Sequence, residues 1–275
     1  MKFSMREKRK KVDSLKKDFI GRDVSEIILL SFDEFGEDLA MTTAFGYSGV
    51  VLMSFIKETV PDLPIYFIDT RLHFQETIDL MNKIKNEWKL NIHHLYPNFS
   101  DEELDRIIGK KAYSTNPDIC CHYRKVMPLL KILETKSAWL SAIRRDQFRT
   151  RARIEVIEID GRGMIKINPM WDWTKNKVWF YVKTHNLPYN PLHDKNFPSI
   201  GCKPCTSQIK EGEDERKGRW KGLEKKECGI HISESSEQFI REMATTIDFT
   251  SFPTTMKSNN SEKSNISRGK TANKK

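Results

Sequence analysis

The residues of this chain best suited to chemistry are its five cysteines, and they are unevenly placed. Two are adjacent, Cys120 and Cys121; two stand in CKPC as Cys202 and Cys205; Cys228 stands alone in KKECGIH, residues 225–231. A structural cysteine is expected among apolar side chains. Cys228 instead has Lys225 and Lys226 on one side and His231 on the other. Cations favour the thiolate, so Cys228 is a candidate nucleophile, with an ordinary free thiol as the plain alternative. CxxC is the common half of a four-cysteine zinc site. A vicinal pair suits zinc less well, because neighbouring side chains on a helix diverge by about 100° while a single ion needs both sulfurs converging. An iron–sulfur cubane offers separate irons to divergent thiolates, and four cysteines are its usual ligands. Zinc and unrelated core thiols stay open on this reading.

Two further stretches carry charge chemistry. SAIRRDQFRTRAR (141–153) begins a run with arginines at 144, 145, 149, 151, 153 and 162. Solvated charge runs usually mix Lys with Glu, whereas guanidinium forks grip phosphate or sulfate oxygens bidentately, which points to an oxyanion site. TTAFGYSG (42–49) lies between an apolar run and an amphipathic one. Its glycines let backbone approach an anion, and a helix N-terminus after it offers free N–H groups. It matches neither of the standard glycine-rich nucleotide fingerprints, and many such turns hold no ligand.

The elements that must position these residues alternate. Residues 39–45, 64–70, 91–96 and 138–143 read as strands; 48–59, 74–88 and 117–134 read as helices. Strands alternating with helices imply right-handed crossovers and a parallel sheet, an α/β fold with ligands at the carboxyl ends of its strands. IEVIEIDGRGMIKINPM (154–170) reads as a hairpin turning at Asp160-Gly161, followed by a helix with Thr174 as N-cap.

The chain of 275 residues is long enough for a substantial core. Residues 1–17 are dense in Lys and Arg without an apolar h-region, and no apolar run approaches the ~20 residues that span a bilayer. A cytoplasmic protein without membrane association is expected, in which cysteines stay reduced. Net charge is +9, partly from the two ends, both expected to be solvated disorder. They carry no nucleic-acid recognition motif, so the excess charge argues for a small anionic partner. The expected division is a basic segment 1–20, a catalytic domain 21–231 and an extension 232–275, largely disordered from about residue 257.

YFIDTRLHFQET, CCHYRKVMPL, RRDQ, LPYNPLHDKNFPSIGCKPC, RKGRW and ECGIH occur in that order between Asp38 and His231. In this combination the chain resembles the assimilatory iron–sulfur adenylyl-sulfate reductases of the phosphoadenylyl-sulfate reductase family. The resemblance implies an adenine-nucleotide α-hydrolase-like fold with a flexible C-terminal segment carrying the nucleophile. It implies a [4Fe–4S] cluster on Cys120, Cys121, Cys202 and Cys205. Cys228 would attack the sulfur of adenylyl sulfate, expel AMP and become an S-sulfocysteine. Thioredoxin or glutaredoxin, expected as a separate protein, would release sulfite for cysteine biosynthesis. The nucleotide loop would be Thr43, Gly46, Tyr47, Ser48 and Gly49, and the phosphosulfate would lie among Lys125, Arg144, Arg151, Arg216, Arg219 and His231.

The chain departs from the family pattern at Arg71 and Leu72, where glycine commonly follows IDT, at Phe148 in place of serine, and in the FGYSG loop itself. The competing readings are the same reaction on 3′-phosphoadenylyl sulfate, an ATP-dependent tRNA-thiolating enzyme, and a zinc-stabilised nucleic-acid binder. The tRNA reading lacks the SGGxDS loop expected of it.

Overall fold

Sheet order decides where a ligand can sit, and here it reverses at the first strand. The computed structural model describes residues 3–225 and 227–231. Helices α1 (Met5–Phe19) and α2 (Val24–Phe35) precede strand β1 (Leu39–Thr43) and helix α3 (Tyr47–Thr59). Then come β2 (Ile65–Ile68), α4 (Gln75–Trp88), β3 (Ile92–Leu95), α5 (Asp101–Ile108), α6 (Ala112–Thr115) and α7 (Pro117–Cys121). A π-helical turn (His122–Val126) leads into α8 (Met127–Leu133), β4 (Ala138–Leu140), β5 (Ile157–Ile159), β6 (Ile165–Ile167) and α9 (Lys175–Thr184).

The strands form one sheet in the order β3-β2-β1-β4-β6-β5. All neighbours run parallel except β5, antiparallel to β6 across the expected hairpin. From β1 the chain winds outward to β2 and β3, then returns to β4 on the other flank. The crevice at the carboxyl ends of β1 and β4 is therefore the switch point of an open α/β sheet. Every residue of β1 is buried, as expected for a central strand covered on both faces.

Two differences from the sequence reading have physical causes. The basic N-terminal stretch is not solvated disorder from residue 4 onward: it is α1, with a Ser4–Glu7 capping box and Leu15 and Phe19 in the main core. Val12, Leu15 and Phe19 share one helical face that the lysines obscure in composition. The helix expected over 117–134 changes hydrogen-bond register in the middle. Pro128 has no N–H to give the Arg124 carbonyl and its ring would crowd that oxygen, so the ladder widens just ahead of it. The wide turn carries Arg124 and Lys125, both buried.

The carboxyl-terminal stretch from residue 232, expected to be extension and disorder, lies outside the described residues.

Candidate active site

The loop after β1 is shaped by close backbone approach. Phe45 takes a left-handed conformation (φ 55°) and buries its ring edge-on against Phe67. Gly46 caps α3, and a Cβ on Gly49 would stand 2.8 Å from Thr43 Oγ1, so any larger residue there must displace the threonine side chain. Tyr47 stacks on Trp179 at 4.9 Å and donates its hydroxyl to Glu215 at 2.9 Å. Burial holds that phenol well above its usual pKa.

Loop and crevice open into a cavity of about 200 Å³. Thr43, Gly46, Tyr47, Ser48, Gly49, Lys125, Arg151, Arg216, Arg219, Cys228 and His231 all line it. Arg144 does not, which corrects the expectation that it surrounds the anion. It is fully buried behind the loop, where it donates to Ser48 Oγ, to Tyr47 Oη at 3.1 Å and to Asp146 at 2.9 Å. Its charge is spent inside the protein, and its work is to brace the loop.

Lys125 reaches the cavity from the π turn. Burial pushes its pKa down, but the neighbouring Cys202, Cys121 and Cys228 sulfurs outweigh burial and hold the ammonium. Arg151 grips Glu227 with Nε at 3.0 Å and Nη2 at 2.8 Å, and Arg216 reaches the same carboxylate at 3.1 Å. Arg219 lies flat against the chain at Gly201, where a Cβ would meet its guanidinium, and donates to the Cys205 carbonyl at 3.3 Å. Phe148 carries its ring 6.0 Å from the Arg216 guanidinium, an apolar support that serine would not supply. Arg71 adopts φ 60°, the left-handed region that explains a glycine at this position, and offsets the strain through bonds to Asp69 and the Phe99 carbonyl.

Cys228 is half-buried and packs against Cys121, Cys202, Cys205 and Trp220. Burial raises its pKa, yet Lys125, the Ile230 N–H and Arg216 together bring it below the ordinary thiol value despite the opposing Glu227 charge. The thiolate setting is as expected, but its source is not. Lys225 pairs with Asp118 instead, Lys226 lies outside the described residues, and His231 is held neutral, first by burial and then by Lys166, Arg151, Arg162 and Arg216. His231 stacks on Trp139 at 5.8 Å. Arg162 donates to the Gly229 carbonyl at 3.0 Å and to that of Ile230, while Asp160 fixes the guanidinium.

Cys120, Cys121, Cys202 and Cys205 are buried free thiols. Lys203 N–H bonds the Leu72 carbonyl at 2.7 Å, tying the CxxC turn to the loop after β2, and Thr70 Oγ1 lies 3.2 Å from Cys202 Sγ. Burial, with the charge of neighbouring cysteines opposed by that of Lys125, pushes the Cys120 thiol up to about 11 and Cys121 to about 12. Such thiols ionise only beside a strong cation such as a bound metal. Among the described residues, no three His, Cys, Asp or Glu side chains close on a point that one metal ion could take. Trp220 packs on Cys121, Cys202 and Cys205, and its buried indole N–H has no acceptor among the described residues. Thiols in surplus beside an unused donor fit a larger group bearing sulfur acceptors.

The sequence reading missed His73, His193, Glu215, Glu227 and Trp220. All but Glu227 and Trp220 line the cavity. His73, His193, Trp220 and Glu227 lie inside the motifs quoted above, yet what each touches is revealed only by its place in the fold.

Residues 38–208 match the phosphoadenosine phosphosulfate reductase domain. The chain is 43% identical over 212 residues to adenosine 5′-phosphosulfate reductase of Oceanobacillus iheyensis, covering 76% of this chain and 88% of the relative. It is 41% identical to the enzyme of the same name from Halalkalibacterium halodurans, covering 76% and 92%. A crystal structure of phosphoadenylyl-sulfate reductase from Candida auris superposes with a TM-score of 0.65 at 30% identity, over 76% of this chain and 99% of that one. A sheet with its switch point at β1, a crevice lined by cations and these matches leave one conclusion: the chain belongs to the phosphoadenosine phosphosulfate reductase family.

Proposed function

We propose that this oxidoreductase reduces adenylyl sulfate to sulfite and AMP in sulfate assimilation, with Cys228 as nucleophile and a separate thioredoxin or glutaredoxin as reductant. The observation that carries the reading is the thiol of Cys228, lowered in pKa, facing a cavity that it shares with Lys125, Arg151, Arg216 and Arg219. The proposed catalytic unit is residues 21–231, acting in the cytoplasm; no helix among the described residues is long and apolar enough to cross a membrane.

In the first step the Cys228 thiolate attacks the sulfur of the substrate. The bond from sulfur to the bridging phosphate oxygen breaks with its electron pair, and AMP leaves. Two anions must approach each other, which is why cations at the reacting centre matter most where water is excluded. Lys125 faces the thiol and would neutralise charge at the sulfonyl oxygens, with Arg151, Arg216 and Arg219 beside it. His231, neutral on its Trp139 platform, can offer a hydrogen bond without adding charge. In the second step a thiolate of the reductant attacks Cys228 Sγ, sulfite departs with the bonding pair, and the reductant's second thiol closes a disulfide.

Cys120, Cys121, Cys202 and Cys205 would hold a [4Fe–4S] cluster, which would supply structure and a local electrostatic field to this two-electron chemistry. The named relatives support the unphosphorylated nucleotide, while the Candida auris structure is named for the 3′-phosphorylated one. Relative turnover of the two nucleotides decides between them. The test of the whole reading is to mix anaerobic protein with adenylyl sulfate and no reductant. One sulfonate mass should appear on the peptide containing Cys228; an adduct on another cysteine overturns the mechanism.

A further inference from the structure

The cavity wall contains a second group of side chains that the cations do not explain. His193, on the turn after α9, sits with its ring edge-on to Tyr47 (5.1 Å) and to Trp179 (5.4 Å), which fixes its plane. Its Nδ1 lies 2.8 Å from the Phe197 carbonyl. A carbonyl oxygen only accepts, so Nδ1 carries the proton and Nε2 presents a bare lone pair. Burial brings the ring's pKa to about 4, against the opposing pull of the Phe197 carbonyl and Asp194, so Nε2 gains no second proton near neutrality. Nε2 is buried, and no described residue donates to it. Yet His193 lines the cavity beside Tyr47 and Glu215.

This group differs in kind from the wall around Cys228. The charges that bear on His193 are Asp194 and Lys175, not the four cations around the thiol. Lys175 is itself paired with Glu215 at 3.3 Å, and Tyr47 gives its hydroxyl proton to the same carboxylate. What remains is an unpaired acceptor on a ring that lines the cavity, next to a carboxylate. A phosphate there would set its own acceptor oxygens against that lone pair, beside a carboxylate whose charge is shared with Lys175 and with Arg144 at 3.9 Å. A free hydroxyl would supply the missing proton.

We propose that His193 Nε2 accepts a hydrogen bond from the free ribose 3′-hydroxyl of the nucleotide, and with Glu215 makes the site select adenylyl sulfate over its 3′-phosphorylated form. The assignment rests on the proposed function and names the side chains that set its substrate preference.

The test compares wild type with His193→Ala and His193→Gln, the second keeping the bulk of the ring should alanine fail to fold. Substrates are adenylyl sulfate, its 3′-deoxy analogue, its 6-deamino (inosine) analogue and 3′-phosphoadenylyl sulfate. Wild type should lose about tenfold in kcat/KM on the 3′-deoxy analogue, through KM with kcat held, the equivalent of about 1.4 kcal/mol. Both variants should lose a similar factor on adenylyl sulfate, ignore the 3′-deoxy change, and narrow the preference over the phosphorylated nucleotide at least tenfold. Equal losses on both nucleotides, or a variant that still penalises the 3′-deoxy analogue, overturn the proposal. So does a penalty that tracks the 6-amino group. Calorimetric binding of AMP and adenosine 3′,5′-bisphosphate reads the same discrimination without turnover. Failure of wild type to form sulfite from any nucleotide would therefore count against the proposed function, while the binding arm still decides the role of His193.

Discussion

The two groups of side chains around the cavity are built in opposite ways. The loop group comes mainly from one contiguous stretch, 42–49, held by Arg144 from behind and by Trp179 and His193 from the side. The cationic group comes from four separate places: the π turn (Lys125), the loop after β4 (Arg151), the stretch after the CxxC turn (Arg216, Arg219) and the last described segment (Cys228). A contiguous loop carries its geometry locally, through a left-handed Phe45 and a glycine packed tightly on Thr43. The dispersed group has no local geometry, and only the sheet reversal at β1 brings its members together. Changes in the dispersed group should therefore strike chemistry, and changes in the loop should strike binding.

Several substitutions can break that contrast. Cys228→Ser should abolish sulfite formation, by more than a thousandfold, while nucleotide still binds and the iron content expected of the proposed cluster is unchanged; residual turnover above a percent would remove Cys228 from the mechanism. Lys125→Ala should lower kcat on the order of a hundredfold, with iron content retained and KM little changed. Were KM to rise instead with kcat intact, Lys125 would belong with the binding group. Gly49→Ala forces a methyl group into Thr43 Oγ1. Overpacking of this kind costs about 1–3 kcal/mol, so KM should rise roughly tenfold with kcat near wild type, and a pure kcat effect would erase the contrast. The smallest effect belongs to Tyr47→Phe. It removes one hydroxyl that accepts from Arg144 and donates to Glu215, worth about 1 kcal/mol, read as a modest fall in melting temperature with kcat unchanged.

Much of this architecture could be read from the chain. Strands β1 to β4, the hairpin and the Thr174 cap are legible because burial on both faces of a parallel sheet leaves continuous apolar runs and because turn residues mark the hairpin. Helix α5 was passed over although Ser100 and Glu103 form a capping box ahead of it. The cysteines and most cations were legible through their motifs. What stayed hidden were relationships across the sequence. Cys228 was expected to owe its thiolate to Lys225, Lys226 and His231, whereas Lys125 and Arg216 supply the cations and His231 is neutral. Arg144 sits in the same arginine run as Arg151, yet one is spent inside and the other faces the cavity. Spacing along a chain cannot tell a guanidinium closed off behind a loop from one that faces a cavity while paired with Glu227.

Glu227 gives the segment around Cys228 a thermodynamic partner. Arg151 has committed Nε and Nη2 to that carboxylate and Nη1 to Gln147, and Arg216 shares the same acceptor. An incoming phosphosulfate would meet two guanidinium charges already shared with Glu227. Binding of the anion and retention of the segment are then linked functions: the factor by which one weakens the other is the same in both directions. Glu227→Gln should tighten nucleotide binding and loosen the segment, measurable by calorimetry and by proteolysis between residues 221 and 231. On the proposed mechanism the segment would be held least firmly while the anion site is full, the interval in which Cys228 would first meet a nucleotide and then turn outward to a reductant.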